Sequence, residues 1–301
     1  MKMIHFICNP TAGGGNGARC SAEVDARMRK TSIAFRIHST RKRGEARHIA
    51  RSLSEDAGSE ELTIVSMGGD GTLHEVLNGI TDPAKVNLGI IPCGSGNDFA
   101  AAAGIPSGVD QALELILNGE ALYTDYLECC GVRGINAIGT GIDVDILRRY
   151  NKMRLLKGSL AYMASLVLSL FTYKPVLLSE KNGEDSPPHK SYIVCCCNGR
   201  RIGGGICISP VSVVDDGLID IVFVDDMPAH KLPAAFIRLI QKRILEVPAV
   251  THKKSGRIRI ESDGPLSIQI DGEIYEGLPF DVNIRSGILR VYRPHGIIES
   301  D

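Results

Sequence analysis

The chain has 301 residues, more than one ordinary domain needs and enough for two domains that each bury a core. Its 34 basic and 35 acidic residues leave a formal net charge of −1, so no global electric field recruits nucleic acid or membrane. Any contact with a membrane must therefore be local.

The cysteines and the apolar stretches bear on the cellular compartment. Nine cysteines include the runs Cys129-Cys130 and Cys195-Cys196-Cys197, and adjacent strand residues point to opposite faces. This spacing predicts neither a disulfide framework nor a zinc site and favours a reducing compartment. The amino terminus is interrupted too early by Pro10 to be a signal peptide, and the uncharged stretch Leu160 to Tyr173 is too short to span a bilayer. We expect a cytoplasmic protein.

The first elements alternate between strand and helix. Met3 to Cys8 predicts a strand that ends at a glycine-rich loop, and Ala18 to Lys30 predicts a helix. Ala34 to Ser39 predicts a second strand, and Thr40 follows at its carboxyl end, where open parallel sheets bind ligands. Thr40 could equally cap a helix predicted over residues 45–53. The alternation predicts a doubly wound α/β half-domain.

The most informative stretch is LTIVSMGGDGTLHEVLNGI, residues 62–80. Leu62 to Met67 is a continuous apolar run that predicts a buried parallel strand. Thr72 and Glu75 have the spacing of a capping box, so we predict that a helix starts at Thr72. The helix would bury one face, made of Leu73, Val76, Leu77 and Ile80.

The loop between this strand and helix suits a phosphate. Gly68, Gly69 and Gly71 let backbone N–H groups approach a ligand closely at a helix N-terminus. A carboxylate there would repel the phosphate unless a cation lay between them, so Asp70 implies Mg²⁺. A bare glycine pair would indicate only a tight turn. The presence of Asp70 and of the capping pair Thr72 and Glu75 favours a phosphate site instead.

A second acid-bearing glycine loop follows the next predicted strand, Val86 to Ile91. The loop reads PCGSGND, residues 92–98, and could clamp the same ligand from the other side. The alternative is that Asp98 is only the N-cap of a short helix over residues 99–103.

Beyond a boundary near residues 119–125 the chain changes character. Short apolar runs separated by turn signals predict a mostly antiparallel domain of sandwich type. A basic segment, residues 148–157, precedes the apolar run Leu160 to Phe171. The pair could lie on an anionic bilayer, or it could be a helix with a solvated end and a buried remainder. The predicted strands are Tyr126 to Cys130, Gly134 to Ile138, Tyr192 to Cys197, Gly217 to Val224, Arg257 to Glu261, Ser267 to Ile270, Phe280 to Ile284 and Ile288 to Tyr292.

Four motifs resemble those of the diacylglycerol kinase catalytic domain family, specifically its soluble bacterial lipid kinases related to diacylglycerol and sphingosine kinases. They are NPTAGG (9–14), GGDGTLHEVLNG (68–79), PCGSGNDFA (92–100) and IDGE (270–273), in the family's order and across nearly the whole chain. The resemblance implies an α/β nucleotide-binding domain like that of NAD kinases and phosphofructokinases over residues 1–124. A β-sandwich lipid-substrate domain would span residues 125–293, and a C-terminal tail at about 294–301 could return to the first domain.

The resemblance also implies the ligands of the first domain. ATP would contact the three glycine loops, in which Ala12 replaces the family's usual serine and Ser95 its threonine. Mg²⁺ would be organised by Asp70, Asp98 and Asp125, although Asp125 could equally be a solvated acid at a strand start. The implied nucleotide-binding residues are Asn9, Pro10, Thr11, Ala12, Gly13, Thr40, Gly68, Gly69, Asp70, Gly71, Thr72, Glu75, Gly94, Ser95 and Asn97.

Two motifs of the second domain carry further implied roles. VDDGL resembles a segment that holds a structural Mg²⁺ in some members, which implies Val213, Asp216 and Leu218, whereas a D-G hairpin turn would need no metal. D-G-E is ordinarily a turn. The family places its catalytic base in this motif, which favours Asp271 as the base, with Glu273 assisting or sharing that role. In the first domain, the resemblance makes Asp70 a catalytic residue as well.

The sequence thus predicts a cytoplasmic, ATP-dependent and Mg²⁺-dependent kinase that phosphorylates a hydroxyl of diacylglycerol or a related lipid. Catalysis would take place in the interdomain cleft, with the protein peripheral at the membrane surface and without nucleic acid. The alternatives are an NAD kinase and a nucleotide-binding regulatory protein without transfer activity. The identity of the lipid and a homodimer are left open.

Overall fold

The computed structural model describes residues 3–58, 60–153, 158–182, 184–185 and 187–296. The chain forms two units, one of residues 1–125 and 286–301 and the other of residues 126–285. Residues from Ser286 onward, inside the long strand Phe280–Tyr292, belong to the first unit. This strand continues without a break across the boundary between the units, and the predicted domain bounds stay a prediction.

The first unit is a parallel sheet covered by helices. The strand order is β2-β1-β3-β4, and the three pairings between neighbours in this order are parallel. β3 is buried along its whole length because helices cover both faces of the sheet. This architecture confirms the predicted doubly wound α/β domain. Its elements are β1 (Ile4–Cys8), α1 (Ala12–Met28), β2 (Phe35–Ser39), α2 (Glu45–Asp56), β3 (Leu62–Gly68), α3 (Asp70–Gly79), β4 (Val86–Pro92), α4 (Asp98–Ala102), α5 (Val109–Asn118) and β5 (Ala121–Cys129), which runs on into the second unit.

Helix starts differ from the sequence-based prediction. α3 begins at Asp70 with Gly69 as its N-cap, so the predicted start at Thr72 and the capping box are wrong. The carboxylate of Glu75 instead accepts hydrogen bonds from the backbone N–H groups of Gly44 (2.7 Å) and Ala46 (3.2 Å), at the start of α2. Gly44 is the N-cap of α2, so Thr40 does not cap that helix.

The second unit is mostly antiparallel, as predicted. β10 pairs with β7, β8 and β13, and β16 pairs with β7 and β17, all antiparallel. The elements that complete the chain are β6 (Val132–Gly134), β7 (Ala137–Gly141), α6 (Ile142–Lys152), α7 (Gly158–Thr172), β8 (Val176–Asn182), β9 (Glu184–Asp185), β10 (His189–Cys197), β11 (Arg201–Ile202), β12 (Ile206–Cys207), β13 (Ile219–Asp225), α8 (Leu232–Ile240), β14 (Val250–Ser255), β15 (Arg257–Ser262), β16 (Ser267–Ile270), β17 (Glu273–Glu276) and β18 (Phe280–Tyr292).

Strand alternation divides the interior of this unit into two core clusters. In β10, Val194 and Cys196 belong to a cluster between strands, whereas Cys195 and Cys197 belong to a second cluster under the helices. The period of two along a strand produces this division. All nine cysteines are free, and eight of them are buried. No helix within the described part of the chain is long and apolar enough to cross a membrane.

Candidate nucleotide loops and acidic groups

Three loops of the first unit lie side by side at the carboxyl ends of β1, β3 and β4. The backbone N–H of Asn9 donates to the carbonyl of Met67 (2.9 Å), and that of Cys93 donates to the carbonyl of Gly68 (2.8 Å). The side chain of Asn9 donates to the hydroxyl of Thr72 (3.4 Å). The sheet therefore brings the predicted motifs NPTAGG, GGDGT and PCGSGND together at one edge.

Glycines let these loops touch backbone to backbone. A Cβ on Gly94 would collide with the Cα of Gly69, and a Cβ on Gly69 would lie 3.1 Å from the Cα of Gly94. A Cβ on Gly13 would collide with the carbonyl oxygen of Cys93, and the φ of Gly13 is also positive at 58°. Only glycine permits both the approach and this backbone conformation.

Asp70 joins two of the loops. Its Oδ2 accepts a hydrogen bond from the backbone N–H of Asn97 (2.7 Å), and its Oδ1 accepts a long one from that of Phe99 (3.5 Å). Asn97 has a left-handed φ of 57°, and its side chain closes the loop through both backbone groups of Gly94 (3.0 and 2.9 Å). Asp70 therefore holds the PCGSGND loop in place.

The three aspartates predicted to organise Mg²⁺ do not form a ready-made cluster. Within the described ranges, no group of three or more His, Cys, Asp or Glu side chains is arranged to hold a metal ion. Asp98 and Asp125 are buried, and Asp70 is half-buried. The carboxylate oxygens are ligands that suit Mg²⁺, which commonly takes one or two carboxylates together with substrate phosphates. Magnesium binding at Asp70 therefore stays a prediction.

The remaining predicted nucleotide contacts fall into two groups. Thr11, Gly71 and Ser95 are exposed, and a ligand at this edge could reach them. Thr40 is buried next to β1, where its backbone N–H donates to the carbonyl of Cys8 (2.8 Å). Glu75 already accepts two N–H groups of α2, so it fixes the position of that helix.

In the second unit, Asp271 and Gly272 form the turn between β16 and β17. Their φ angles are 49° and 86°, as in a two-residue hairpin of type I′. The carboxylate of Asp271 accepts three hydrogen bonds from the backbone N–H groups of residues 135–137, at 2.7, 2.9 and 3.0 Å. Glu273 is half-buried at the first position of β17. The two acids of D-G-E therefore occupy different environments.

In the segment predicted to hold a structural Mg²⁺, the carboxylate of Asp216 forms an ion pair with a lysine. Oδ1 of Asp216 accepts the backbone N–H of Leu218 (3.0 Å), and Oδ2 lies 2.5 Å from Nζ of Lys254. The hydrogen bond to Asp216 raises the pKa of Lys254. Because an ammonium group already pairs with the carboxylate, this arrangement favours the D-G turn as the reason for the motif, and magnesium binding at Val213, Asp216 and Leu218 stays a prediction.

Sequence reasoning missed one acid of the second unit. Asp143 lies at the start of α6 and is 2% exposed. Its Oδ1 accepts the backbone N–H of Val144 (2.8 Å), whereas the side-chain amide of Gln269 lies near the carboxylate without a full hydrogen bond to Oδ2. Burial raises the pKa of Asp143 to about 7. A Cβ on Gly139 would collide with Oδ2, so the glycines around GTGID are the local signal that could have pointed to this pocket.

Comparisons with known proteins identify the family and the fold. Residues 3–129 match the family model described as diacylglycerol kinase catalytic domain, and residues 136–293 match the YegS C-terminal NAD kinase beta sandwich-like domain. The "Probable lipid kinase YegS" of Salmonella gallinarum (strain 287/91 / NCTC 13346) is 28% identical over 276 residues, covering 89% of each chain.

Solved structures show the same fold. A diacylglycerol kinase structure from Bacillus anthracis str. Sterne has a TM-score of 0.74 at 21% identity and covers 99% of this chain and 98% of its own. An NAD kinase from Archaeoglobus fulgidus in complex with ATP has a TM-score of 0.50 at 10% identity, covering 97% and 92%. Since the two family models together account for most of the chain, it belongs to the YegS-like family of lipid kinases, with a diacylglycerol kinase catalytic domain.

Proposed function

We propose that the protein transfers the γ-phosphoryl group of ATP to a hydroxyl of diacylglycerol or a closely related lipid. In this proposal the three loops at the carboxyl ends of β1, β3 and β4 hold the ATP phosphates, and Glu273 accepts the proton of the lipid hydroxyl. The observation that carries the proposal is the junction of the three glycine loops, together with the family's kinase activity.

The loops offer what a triphosphate requires. The start of α3 presents backbone N–H groups at the end of a buried strand, and the aligned peptide dipoles favour negative charge there. The exposed hydroxyl of Ser95 adds a donor on the loop after β4, whereas the hydroxyl of Thr11 already donates to Oδ1 of Asn9 (2.9 Å) and offers a ligand its oxygen lone pairs. Mg²⁺, held by a carboxylate such as Asp70 and the phosphates, would neutralise charge that develops on the transferred group.

We assign the base to Glu273 because of the bonds made by Asp271. A general base needs an oxygen lone pair that can take the hydroxyl proton. Asp271 uses three of its roughly four acceptor positions on backbone N–H groups, which favours a structural role. In this assignment Asp271 fixes the hairpin, and the hairpin positions Glu273 two residues further on.

Turnover and stability together test the assignment. Purified protein is incubated with labelled ATP, Mg²⁺ and short-chain diacylglycerol, and Tm is measured in parallel. Glu273→Gln should lower kcat by roughly 10²–10⁴-fold with an unchanged Tm. Asp271→Asn should lower Tm, because one carboxylate oxygen becomes an amide donor that faces backbone N–H groups. Asp263→Asn, at an exposed acid of the same unit, is the matched control.

Two results would contradict the proposal. A larger loss of kcat in Asp271→Asn at native Tm would transfer the base to Asp271. Phosphorylation of NAD, but of no lipid in a total lipid extract, would make the protein an NAD kinase.

A further inference from the structure

α7 exposes large apolar side chains along one side. The helix contains no charged residue, and its 15 residues extend about 22 Å. Ala161, Tyr162 and Leu166 are buried on its inner side. On the outer side, Leu160 and Phe171 are each 72% exposed, Leu168 is 49% exposed and Val167 is 37% exposed. Their spacing of 7, 8 and 11 residues places these four side chains on one face of the helix.

A second helix exposes apolar side chains on the same side of the unit. Ile237 and Ile240 of α8 are 55% and 51% exposed. α7 and α8 pack their inner side chains, among them Leu166 and Leu232, against the same core cluster. Both helices therefore cover one side of the sheet and expose apolar side chains away from it. We call Leu160, Val167, Leu168, Phe171, Ile237 and Ile240 the outer apolar face.

The basic side chains of α6 and those beside the ends of α7 and α8 divide into paired and unpaired ones. Arg148 is paired with Glu276 (2.5 Å) and Arg149 with Asp145 (2.7 Å). Lys152, Lys174, Lys231 and Lys242 are exposed and take part in none of the ion pairs that the structure describes. Of the basic segment predicted to face a membrane, Arg154 and Lys157 lie outside the described residues. Lys174, Lys231 and Lys242 lie within two residues of an end of α7 or α8, and Lys152 ends α6, which packs against α7. These flanking lysines can therefore meet anionic groups beside the outer apolar face.

We propose that the outer apolar face lies on an anionic lipid bilayer, with its apolar side chains among the acyl chains and the flanking lysines at the headgroups. Uncharged apolar side chains bordered by lysines match the interface of an anionic membrane. A symmetric dimer through the same face would bring like-charged lysines of two copies together, which disfavours a second copy as the occupant. The inference rests on the proposed function, because a lipid substrate resides in a bilayer.

Vesicle flotation of the full chain tests the surface. The probes are vesicles of phosphatidylcholine alone and of phosphatidylcholine with about one third phosphatidylglycerol. The variant Leu168→Ser/Phe171→Ser should bind anionic vesicles on the order of 100-fold more weakly, roughly tenfold for each lost apolar side chain. Lys152→Glu/Lys174→Glu should weaken binding to anionic vesicles at low salt and change little at high salt, where screening removes the same attraction. Tyr123→Ser, at an exposed aromatic residue of the first unit, is the matched control and should bind as the wild type does.

Activity measurements separate this inference from the proposed function. Leu168→Ser/Phe171→Ser should phosphorylate a water-soluble short-chain diacylglycerol as fast as the wild type and lose activity on diacylglycerol in vesicles. A wild type that binds vesicles through this face yet phosphorylates no lipid would support the surface and overturn the proposed function. Unchanged vesicle binding by the apolar variant would overturn the surface. So would a wild-type dimer, seen by sedimentation, that this variant dissociates, because the occupant would then be a second copy.

Discussion

Asp143 makes the stability of the second unit depend on pH. Burial raises its pKa from 3.8 to about 7, so the folded protein retains a proton that the unfolded chain has already released above pH 4. The free energy of unfolding therefore falls as the pH rises from about 4 to about 7 and is constant above that as far as this group is concerned. At 1.36 kcal/mol per pKa unit the full effect is about 4 kcal/mol, of which about 3 kcal/mol falls between pH 5 and pH 8.

Asp143→Asn removes the titrating group. Relative to the wild type, this variant should gain about 3 kcal/mol in free energy of unfolding when the pH changes from 5 to 8. Burial also raises the pKa of Tyr173 to about 12, and the hydrogen bond with Cys197 together with burial raises the pKa of Cys195, so both neighbours stay neutral across this window. Urea unfolding followed by circular dichroism at the two pH values gives the difference. Asp263→Asn, at an exposed aspartate of the same unit, is the control for a generic loss of charge.

A stability difference between wild type and Asp143→Asn that is the same at pH 5 and pH 8 would refute the reasoning. It would mean that the carboxyl group ionises in the folded protein as it does in the unfolded chain. The absolute stability of the variant does not decide the question, because an amide also changes the hydrogen bond to Val144.

Two further changes test the glycine loops of the first unit and the turn at Asp216, which pairs with Lys254. Gly94→Ala should raise the KM for ATP at least tenfold, because a Cβ there collides with Gly69 and separates two loops. Gly264→Ala, where a Cβ meets nothing within 4 Å, should leave the KM unchanged. Steady-state kinetics measures both values, and an unaltered KM in Gly94→Ala would contradict the assignment of this edge to ATP. Without ATP, a change from EDTA to millimolar Mg²⁺ should leave the Tm of the second unit unchanged, because Lys254 already pairs with Asp216. A rise in Tm that Asp216→Asn abolishes would instead show that a metal ion binds at Asp216.

The fold of the first unit was predictable because its signals are local. An apolar run such as Leu62 to Met67 identifies a buried strand, and the glycines that follow it identify the strand's carboxyl end. The partner of Glu75 was not predictable, since Gly44 lies 31 residues away and only the packing of α2 against α3 brings it near. The sequence therefore indicates that Glu75 has a capping role but not which helix it caps.

The burial of Asp143 was not predictable from the sequence for a related physical reason. An acid in the first turn of a helix is ordinarily favoured by the helix dipole and solvated. Whether it is buried depends on the strand beneath it, and Gly139 provides the space for its carboxylate. Burial of this kind is a property of tertiary packing, which residue spacing does not encode.

The roles of the two acids of D-G-E, which are central to the proposed chemistry, were likewise not predictable from the sequence. The donors that fix Asp271, residues 135–137, lie about 135 positions earlier in the chain, so the motif alone cannot separate a structural aspartate from a catalytic glutamate. A base must be held within a fraction of an ångström of its productive position. Loss of the bonds of Asp271 would loosen the hairpin and displace Glu273, so an activity assay by itself would mistake Asp271 for the base. Only the combination of kcat with Tm distinguishes a residue that takes the proton from one that holds the proton acceptor in place.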